Sequence, residues 1–297
     1  MKKIQLIISA LVFGLTLNAQ TYKSANWSAN VFLGTSNMMG DLGGSNFIGS
    51  EGVFDLDFKS FRPAIGLGTG VHTGAFSWGA NILFTQLVGN DEYTTHEFQS
   101  TRNLSVRTDL FEVNLLAEFR PFSRSAGFNR FYIYTGVGGM YYQPKAEYND
   151  EWIKLRPLGT EGQLFLDDKE IYSELDFVIP YGLGYKFRLA KSTSLVLDLG
   201  FRKTFTDYLD DVSTVYSDPL LLEQNGGELA SVLADRSLNG RVIGTERGNP
   251  EKNDSYFILG LKFELILGGN SGDGCYYNRN PKKSKSTRYN QKKMFTR

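Results

Sequence analysis

The sequence contains 297 residues, of which 41% are hydrophobic, and its basic and acidic side chains balance to a formal net charge of zero. The mean hydropathy of −0.27 excludes a protein built from membrane-spanning helices. A single cysteine excludes an internal disulfide. The 32 Gly, 16 Tyr and 22 Phe residues, set against 8 Pro, favour β-structure.

The N-terminal segment has the three regions of a secretory signal peptide. Lys2 and Lys3 precede an apolar run over residues 4–17, and Asn18 and Ala19 follow it. Cleavage after Ala19 would leave Gln20 as the new N-terminus. The alternative is an uncleaved anchor helix, but the apolar run is short for a membrane span. We therefore predict export.

Alternation of apolar and polar residues with a period of two predicts eight β-strands. In chain order they cover residues 26–34, 61–71, 75–86, 111–120, 130–142, 177–189, 195–202 and 255–267. The last strand has the clearest pattern. Its odd-numbered residues from 257 to 267 are all large and apolar, while Lys262 and Glu264 lie on the opposite face.

The connections between these strands alternate in length, beginning with a long one. Outer-membrane barrels have an even strand number, short periplasmic turns, long outside loops and both termini in the periplasm. A soluble eight-stranded barrel such as a lipocalin is the alternative, and it would turn its apolar rows inward. Here the polar rows carry few charges and many glycines, which together with the signal peptide favours the membrane barrel.

We predict an all-β fold, namely an eight-stranded antiparallel transmembrane β-barrel of the outer-membrane type with long extracellular loops. The predicted organisation is a signal peptide over residues 1–19, the barrel over residues 20–269 and a basic periplasmic tail over residues 270–297. The protein is then integral to the outer membrane, with both termini periplasmic.

Side chains fill the interior of a barrel of about eight strands and leave no aqueous channel, so a porin is disfavoured. The pattern predicts an ion-paired lumen, because unpaired charges away from water are costly. A gated proton or ion path is the alternative. The predicted lumen charges are Arg62, Glu112, Glu118, Arg120, Lys186, Arg188, Asp198, Arg202, Lys262 and Glu264.

The sequence predicts no enzyme and no catalytic, cofactor or metal site. His72 lies in a predicted periplasmic turn and His96 in a predicted outside loop, so neither forms a pair with a serine nucleophile. Cys275 lacks the company of other metal ligands. The Gly-rich residues 136–139 lie inside a strand pattern and indicate a bend or close packing rather than a phosphate site.

An acidic group follows the seventh predicted strand. Asp207, Asp210 and Asp211, together with Asp218, have two interpretations. They could bind calcium through oxygen ligands, but their spacing matches no known loop signature. We therefore expect them to be solvated loop acids.

The segment after residue 270 contains eight Lys or Arg residues and one acid, and it is too polar to fold alone. One interpretation is a disordered, solvated end that touches anionic lipid head groups; the other is a docking segment for an acidic periplasmic partner. Nucleic acid is excluded by the compartment. The candidate partner-binding residues are Lys282, Lys283, Lys285, Arg288, Tyr289, Lys292 and Lys293.

Three segments resemble a known family. They are FLGTSNMMGDL at residues 32–42, RNLSVRTDLFE at residues 102–112 and RKTFTDYLDDVS at residues 202–213, and the last includes Asp207, Tyr208, Asp210 and Asp211. Together they resemble the outer-membrane β-barrel proteins of the PorG type, found in Bacteroidota. The TDYLDDVS string is the most specific part of the resemblance.

The resemblance implies a component of the type IX secretion system. In that family the barrel associates with a periplasmic ring built from a lipoprotein and its partner protein, and in gliding species it serves secretion of motility adhesins. The implied role is non-enzymatic assembly or anchoring of the ring. Residues 220–248 and the basic tail do not match, so docking of the tail to the ring is our own expectation. The alternative is a stand-alone outer-membrane barrel whose extracellular loops bind a ligand or a surface.

Overall fold

The computed structural model describes residues 26–42, 58–94, 97–121, 130–237 and 240–267. Several of the predicted features lie outside these residues. They are the signal peptide, His96, Cys275 and the basic tail with all its candidate partner-binding residues.

The described residues form nine strands and three short α-helices. The strands are β1 (Asn26–Met39), β2 (Arg62–Thr73), β3 (Phe76–Asn90), β4 (Ser105–Phe119), β5 (Phe131–Tyr148), β6 (Glu151–Lys154), β7 (Leu175–Arg188), β8 (Thr193–Thr204) and β9 (Ser255–Ile266). The helices are α1 (Glu97–Arg102), α2 (Pro219–Gly226) and α3 (Glu228–Ala234). Single 3-10 turns occur at Phe58–Ser60, Asp91–Tyr93 and Arg156–Leu158.

Eight of the nine strands close into a barrel. In the sheet, β9 pairs with both β1 and β8, and the ends of the strand order are joined by the β4–β5 pairing. Every pairing is antiparallel, and β6 only extends β5 as a short hairpin. A closed barrel leaves no free sheet edge. The prediction of a closed, eight-stranded antiparallel barrel is confirmed.

The strand register places apolar rows on the outside of the barrel. Leu33 pairs with Leu261 across β1 and β9, and both side chains are exposed, whereas the neighbouring Phe32 and Lys262 are buried in the lumen. The same alternation runs around all eight strands. The exposed apolar belt includes Trp27, Val31, Leu67, Trp78, Ile82, Phe84, Val113, Leu115, Ile133, Val137, Phe177, Leu183, Leu197 and Phe263.

Four strands continue beyond the residues that their apolar rows predict. β1 reaches Met39, β3 reaches Asn90, β4 begins at Ser105 and β5 reaches Tyr148. In these extensions the outward rows become polar, for example at the pair formed by Arg107 and Lys145. The backbone ladder continues although the apolar pattern has ended. A search for apolar alternation therefore finds the belt rather than the full strands.

The four long connections pack together over one end of the barrel and form a loop cap, which we define as residues 40–42, 58–61, 91–104, 149–174 and 205–254 where described. A buried apolar cluster joins the connections to the strand ends that carry them; its members are Leu42, Leu104, Val106, Ala146, Leu155, Val212 and Leu233. The short connections lie at the opposite end. None of the helices in the described ranges is long and apolar enough to span a membrane.

Candidate functional site

The lumen holds three layers of paired charges. In the layer nearest the short connections, Lys186 Nζ lies 2.5 Å from Glu264 Oε2, and His72 Nε2 lies 3.1 Å from Glu264 Oε1. Ser28 and Ser77 hydroxyls contact the two nitrogens of the His72 ring. His72 was predicted in a turn, but it is the penultimate residue of β2 and is buried inside the barrel.

The middle layer is built on Asp198 of β8. Lys262 Nζ lies 3.1 Å from its carboxylate, and the hydroxyls of Tyr132 and Tyr134 donate to the same group at 2.8 and 2.9 Å. The carboxylate is therefore neutralised by one ammonium and solvated by two phenols. These contacts replace the hydrogen bonds to water that the carboxylate gives up when it is buried.

In the layer nearest the loop cap, the ion pair is between Glu112 and Arg202. Arg202 Nε donates to Glu112 Oε2 at 3.3 Å, Tyr256 donates to the same oxygen at 2.8 Å and Asn114 donates to the other oxygen at 2.6 Å. Each of the three layers therefore contains one full positive and one full negative charge, apart from His72. The arrangement is that of an ion-paired lumen.

Four of the ten predicted lumen charges stand apart from these layers, namely Arg62, Glu118, Arg120 and Arg188. Arg62 is half-buried and donates to the carbonyls of Lys59 and Phe61. Glu118 is half-buried, and Arg120 donates to the Gly74 carbonyl and to Ser77. Arg188 was predicted in the lumen, but it is exposed and donates to the carbonyls of Ala190 and Lys191. It ends β7, where the alternation no longer points into the barrel.

Little empty space remains between the layers. A cavity of about 30 Å³ lies among Asn30, Asn81, Asn114, Asp198, Arg202 and Lys262. A volume of this size holds about one or two water molecules. The described lumen thus has the filled interior that is expected for a barrel of this strand number.

The loop cap is held by two fully buried arginines that sequence reasoning missed. Arg102 of α1 makes a two-pronged contact with Asp91, at 2.8 Å from Nε and 2.7 Å from Nη2. It also donates to the carbonyls of Asp41 and Arg247 at 2.7 and 2.6 Å. One side chain therefore joins three of the four long connections. Paired, planar donors of this kind are the strongest carboxylate partners in proteins.

The second arginine, Arg247, joins the third and fourth connections. Its Nη1 donates to Glu161 Oε1 at 2.8 Å and to the Asp211 carbonyl at 2.5 Å. Glu161 also accepts the backbone N–H groups of Ser213 and Thr214. Nothing in the sequence marks these residues as partners, because 86 positions separate Arg247 from Glu161.

Three of the four acids predicted to be solvated, Asp207, Asp210 and Asp211, are buried in this cap, so that expectation is wrong for them. Asp210 accepts the backbone N–H groups of Asp41 and Leu42 at 3.0 and 3.1 Å, and Asp211 accepts the hydroxyls of Thr160 and Tyr172 at 2.5 Å. Asp207 is also buried. Asp218 instead caps the N-terminus of α2 by accepting from Leu220. Among the described residues, no group of three or more His, Cys, Asp or Glu side chains is arranged to hold a metal ion.

Burial changes the proton affinity of the cap acids. It raises the pKa of Asp207 to about 9, and the nearby carboxylates of Asp41, Asp210 and Glu161 act in the same direction while Ser213 offsets them in part. Burial also raises the pKa of Asp41 and of Asp211 to about 6. The pKa values of Asp210 and Asp254 lie well above the ordinary value for the same reason. Asp207 is therefore protonated at neutral pH.

The three segments that carry the family resemblance meet in space. The end of residues 32–42 bonds to Asp210, the start of residues 102–112 bonds to the Asp41 carbonyl, and Glu112 pairs with Arg202. Tyr208 stacks on Tyr172 with ring centroids 4.6 Å apart. The resembling segments thus form one unit, made of the cap-side lumen layer and the base of the loop cap.

A known family model covers all three of these segments. Residues 2–220 match the model of a family described as a domain of unknown function, DUF6089. The chain belongs to this family. No curated protein matches the DUF6089 chain.

Several solved barrels are similar to the DUF6089 chain. Neisserial surface protein A is 7% identical with a TM-score of 0.36, and the alignment covers 82% of this chain and 100% of that one. The attachment invasion locus protein of Yersinia pestis is 9% identical over 82% and 99%, with a TM-score of 0.36. A major outer membrane protein from Thermus thermophilus is 12% identical over 82% and 100%, with a TM-score of 0.37. Similarities this weak say nothing about what the chain binds.

Proposed function

We propose that the protein is an integral outer-membrane barrel. The observation that supports this is the apolar belt on all eight strands, because soluble proteins rarely expose a continuous apolar surface larger than a few hundred Å². Aromatic side chains border the belt at the short-connection end, including Trp27, Trp78 and the stacked pair of Phe76 and Phe119. Aromatic girdles of this kind lie at the membrane–water interface in such barrels.

We further propose that the barrel is a non-enzymatic component of the type IX secretion system and anchors or assembles the periplasmic ring at the outer membrane. The single observation that supports this role is the unit formed by the three resembling segments, since they come together as one structure around Arg102, Asp210 and Arg202. The filled lumen fits anchoring better than conduction. The short-connection end, where β1 begins and β9 ends, then faces the ring, and the basic tail continues from that end.

A clean deletion strain tests the secretion role. Cargo of the type IX system should accumulate inside the deletion strain, and the full chain expressed in trans should restore its release. Mild detergent extraction should co-purify the lipoprotein and its partner with the full chain. A second complementing chain that lacks residues 270–297 should lose the ring proteins if the tail is the contact. Normal cargo release in the deletion strain would end the proposal.

A stand-alone surface barrel is the second candidate. It is favoured by exposed apolar side chains on the loop cap, with Leu220, Val242 and Ile243 all more than half exposed. Such side chains are available to a ligand or to another surface. Replacing these three residues by Ser should then abolish binding to that target while ring co-purification stays intact. Loss of secretion in the same variant would speak against a stand-alone role.

A further inference from the structure

The outer wall of the barrel carries a groove of about 510 Å³ at the boundary between the apolar belt and the loop cap. Its floor is formed by Tyr181 of β7 and Phe201 of β8, whose rings stack with centroids 5.7 Å apart. Residues 251–254 form its upper side. Thr204 and Asp254 hold this segment to the barrel, because the Asp254 N–H donates to the Thr206 carbonyl and the Thr204 hydroxyl donates to the Asp254 carbonyl.

Two lysines give the groove a positive end. Lys203 follows Phe201 on the outward row of β8, next to Ile179 of β7, and Lys252 lies on the upper segment; both are exposed. Glu251 also lines the groove and is the one exposed acid among its lining residues. Asp254 turns its carboxylate inward, where it accepts the Leu209 N–H at 2.8 Å. The groove surface therefore keeps a net positive charge.

Lys203 differs from the other charges near the top of the outward rows. On β4 and β5, Lys145 Nζ lies 2.5 Å from Asp109, and the Arg107 guanidinium lies 3.8 Å from the Trp152 ring. In the part of the chain that the structure describes, Lys203 has no acidic partner within ion-pair distance. Its ammonium thus lies at the edge of an apolar surface without a countercharge from the protein.

We propose that this groove binds an anionic, phosphate-bearing lipid in the leaflet that faces the loop cap. The phosphate lies between Lys203 and Lys252, and an acyl chain lies along Phe201 and Tyr181. Lysine is a common phosphate ligand, and a basic residue near a membrane surface attracts anionic lipid. The inference rests on the proposed membrane location, but it does not depend on the secretion role.

Native mass spectrometry of the full chain released from nanodiscs tests the groove. The nanodiscs contain phosphatidylcholine with a minor fraction of phosphatidylglycerol, and the readout is the amount of each lipid retained. Lys203→Ala and Lys252→Ala should each lower phosphatidylglycerol retention about fivefold. Phe201→Ala should lower retention of both lipids. Lys191→Ala is the matched control, since Lys191 is an exposed lysine at the opposite end of the barrel, and it should leave both unchanged.

Three results would overturn the proposal. Suppose that the Lys203→Ala and Lys252→Ala double variant enters nanodiscs as the wild type does. Unchanged phosphatidylglycerol retention in this variant would then refute lipid binding in the groove, while the proposed membrane location would stand. Displacement of the lipid by inorganic phosphate alone would show that the two lysines bind a free anion instead of a lipid. Failure of the wild-type chain to enter nanodiscs would contradict the membrane location itself and the lipid assignment with it.

Discussion

At the scale of single residues, the protonated Asp207 of the loop cap makes the clearest prediction. The pKa of Asp207 is raised from its ordinary 3.8 to about 9 in the folded protein, so the folded state binds this proton more tightly than the unfolded chain does. The resulting stability is complete below about pH 4 and is lost as the pH rises towards 9. The contribution of Asp207 to the stability of the loop cap should therefore decline steadily as the pH rises from about 4 to about 9.

Asp207→Asn should remove the part of this pH dependence that Asp207 contributes, because the amide cannot ionise. Near pH 8 the variant should be more stable than the wild type by on the order of 2–4 kcal/mol, and near pH 5 the two should be similar. Urea unfolding at the two pH values measures the difference. Asp218→Asn is the control, since Asp218 lies at the surface of the cap as the N-cap of α2. Equal pH slopes in the wild type and in Asp207→Asn would refute the protonated state.

Arg102 should be the residue on which the order of the loop cap depends most. Arg102→Met leaves the buried Asp91 carboxylate without its countercharge and frees two carbonyls, at a cost of about 3–5 kcal/mol. We expect limited proteolysis to cut the long connections of this variant while the barrel still migrates as a folded species. Arg188→Met, at the exposed opposite end, should remain as resistant as the wild type. Equal resistance of Arg102→Met would show that the cap does not need this side chain.

At the scale of elements, the strands can be predicted from the sequence and their ends cannot. The rows of β9 and β4 were recognised because lipid-facing side chains must be apolar, as at Leu115 and Phe263. Above the belt, the outward residues of β4 and β5 are free to be polar, so the apolar pattern stops there. The backbone pairing of the two strands nevertheless continues as far as the pair formed by Arg107 and Lys145. Seven of the ten predicted lumen charges are buried in the barrel, because they occupy the inward positions of the same alternation.

The strands of the lumen should be coupled through their ion pairs. Glu112 on β4 and Arg202 on β8 are both buried, so Arg202→Met should cost about 3–5 kcal/mol by leaving a charge unpaired. Adding Glu112→Leu should recover much of that loss. A double-mutant cycle in urea measures the coupling. Asp109 and Lys145 form the control pair on the half-exposed outer face, where we expect coupling below about 1 kcal/mol. A lumen coupling as small as the control would contradict the ion-paired layers.

At the scale of the whole molecule, the loop cap is what sequence reasoning could not reach. Its contacts join distant residues; Arg102, for example, donates to the carbonyls of Asp41 and Arg247, which lie 61 and 145 positions away. No local period brings such residues together. The acids of the TDYLDDVS string therefore looked like solvated loop acids, although Asp210 and Asp211 are buried at the base of the cap. Only the resemblance marked that string as special.

The filled lumen and the cap together predict a barrel that does not conduct. The purified chain in planar bilayers should give no discrete conductance steps, because the lumen retains room for about one or two waters and the long connections cover its mouth. A porin recorded under the same conditions is the positive control. Regular, ion-selective steps from the purified chain would instead support the gated ion path that the sequence left open.

The central claim, that the apolar belt lies in a bilayer, is tested most directly by spin labels on the reconstituted protein. A label at Leu115, on the outward row of β4, should be accessible to oxygen and shielded from a water-soluble nickel chelate. A label at Leu220, which is equally exposed but lies on the loop cap, should show the reverse. Equal access of the nickel chelate to both positions would contradict a membrane-spanning barrel.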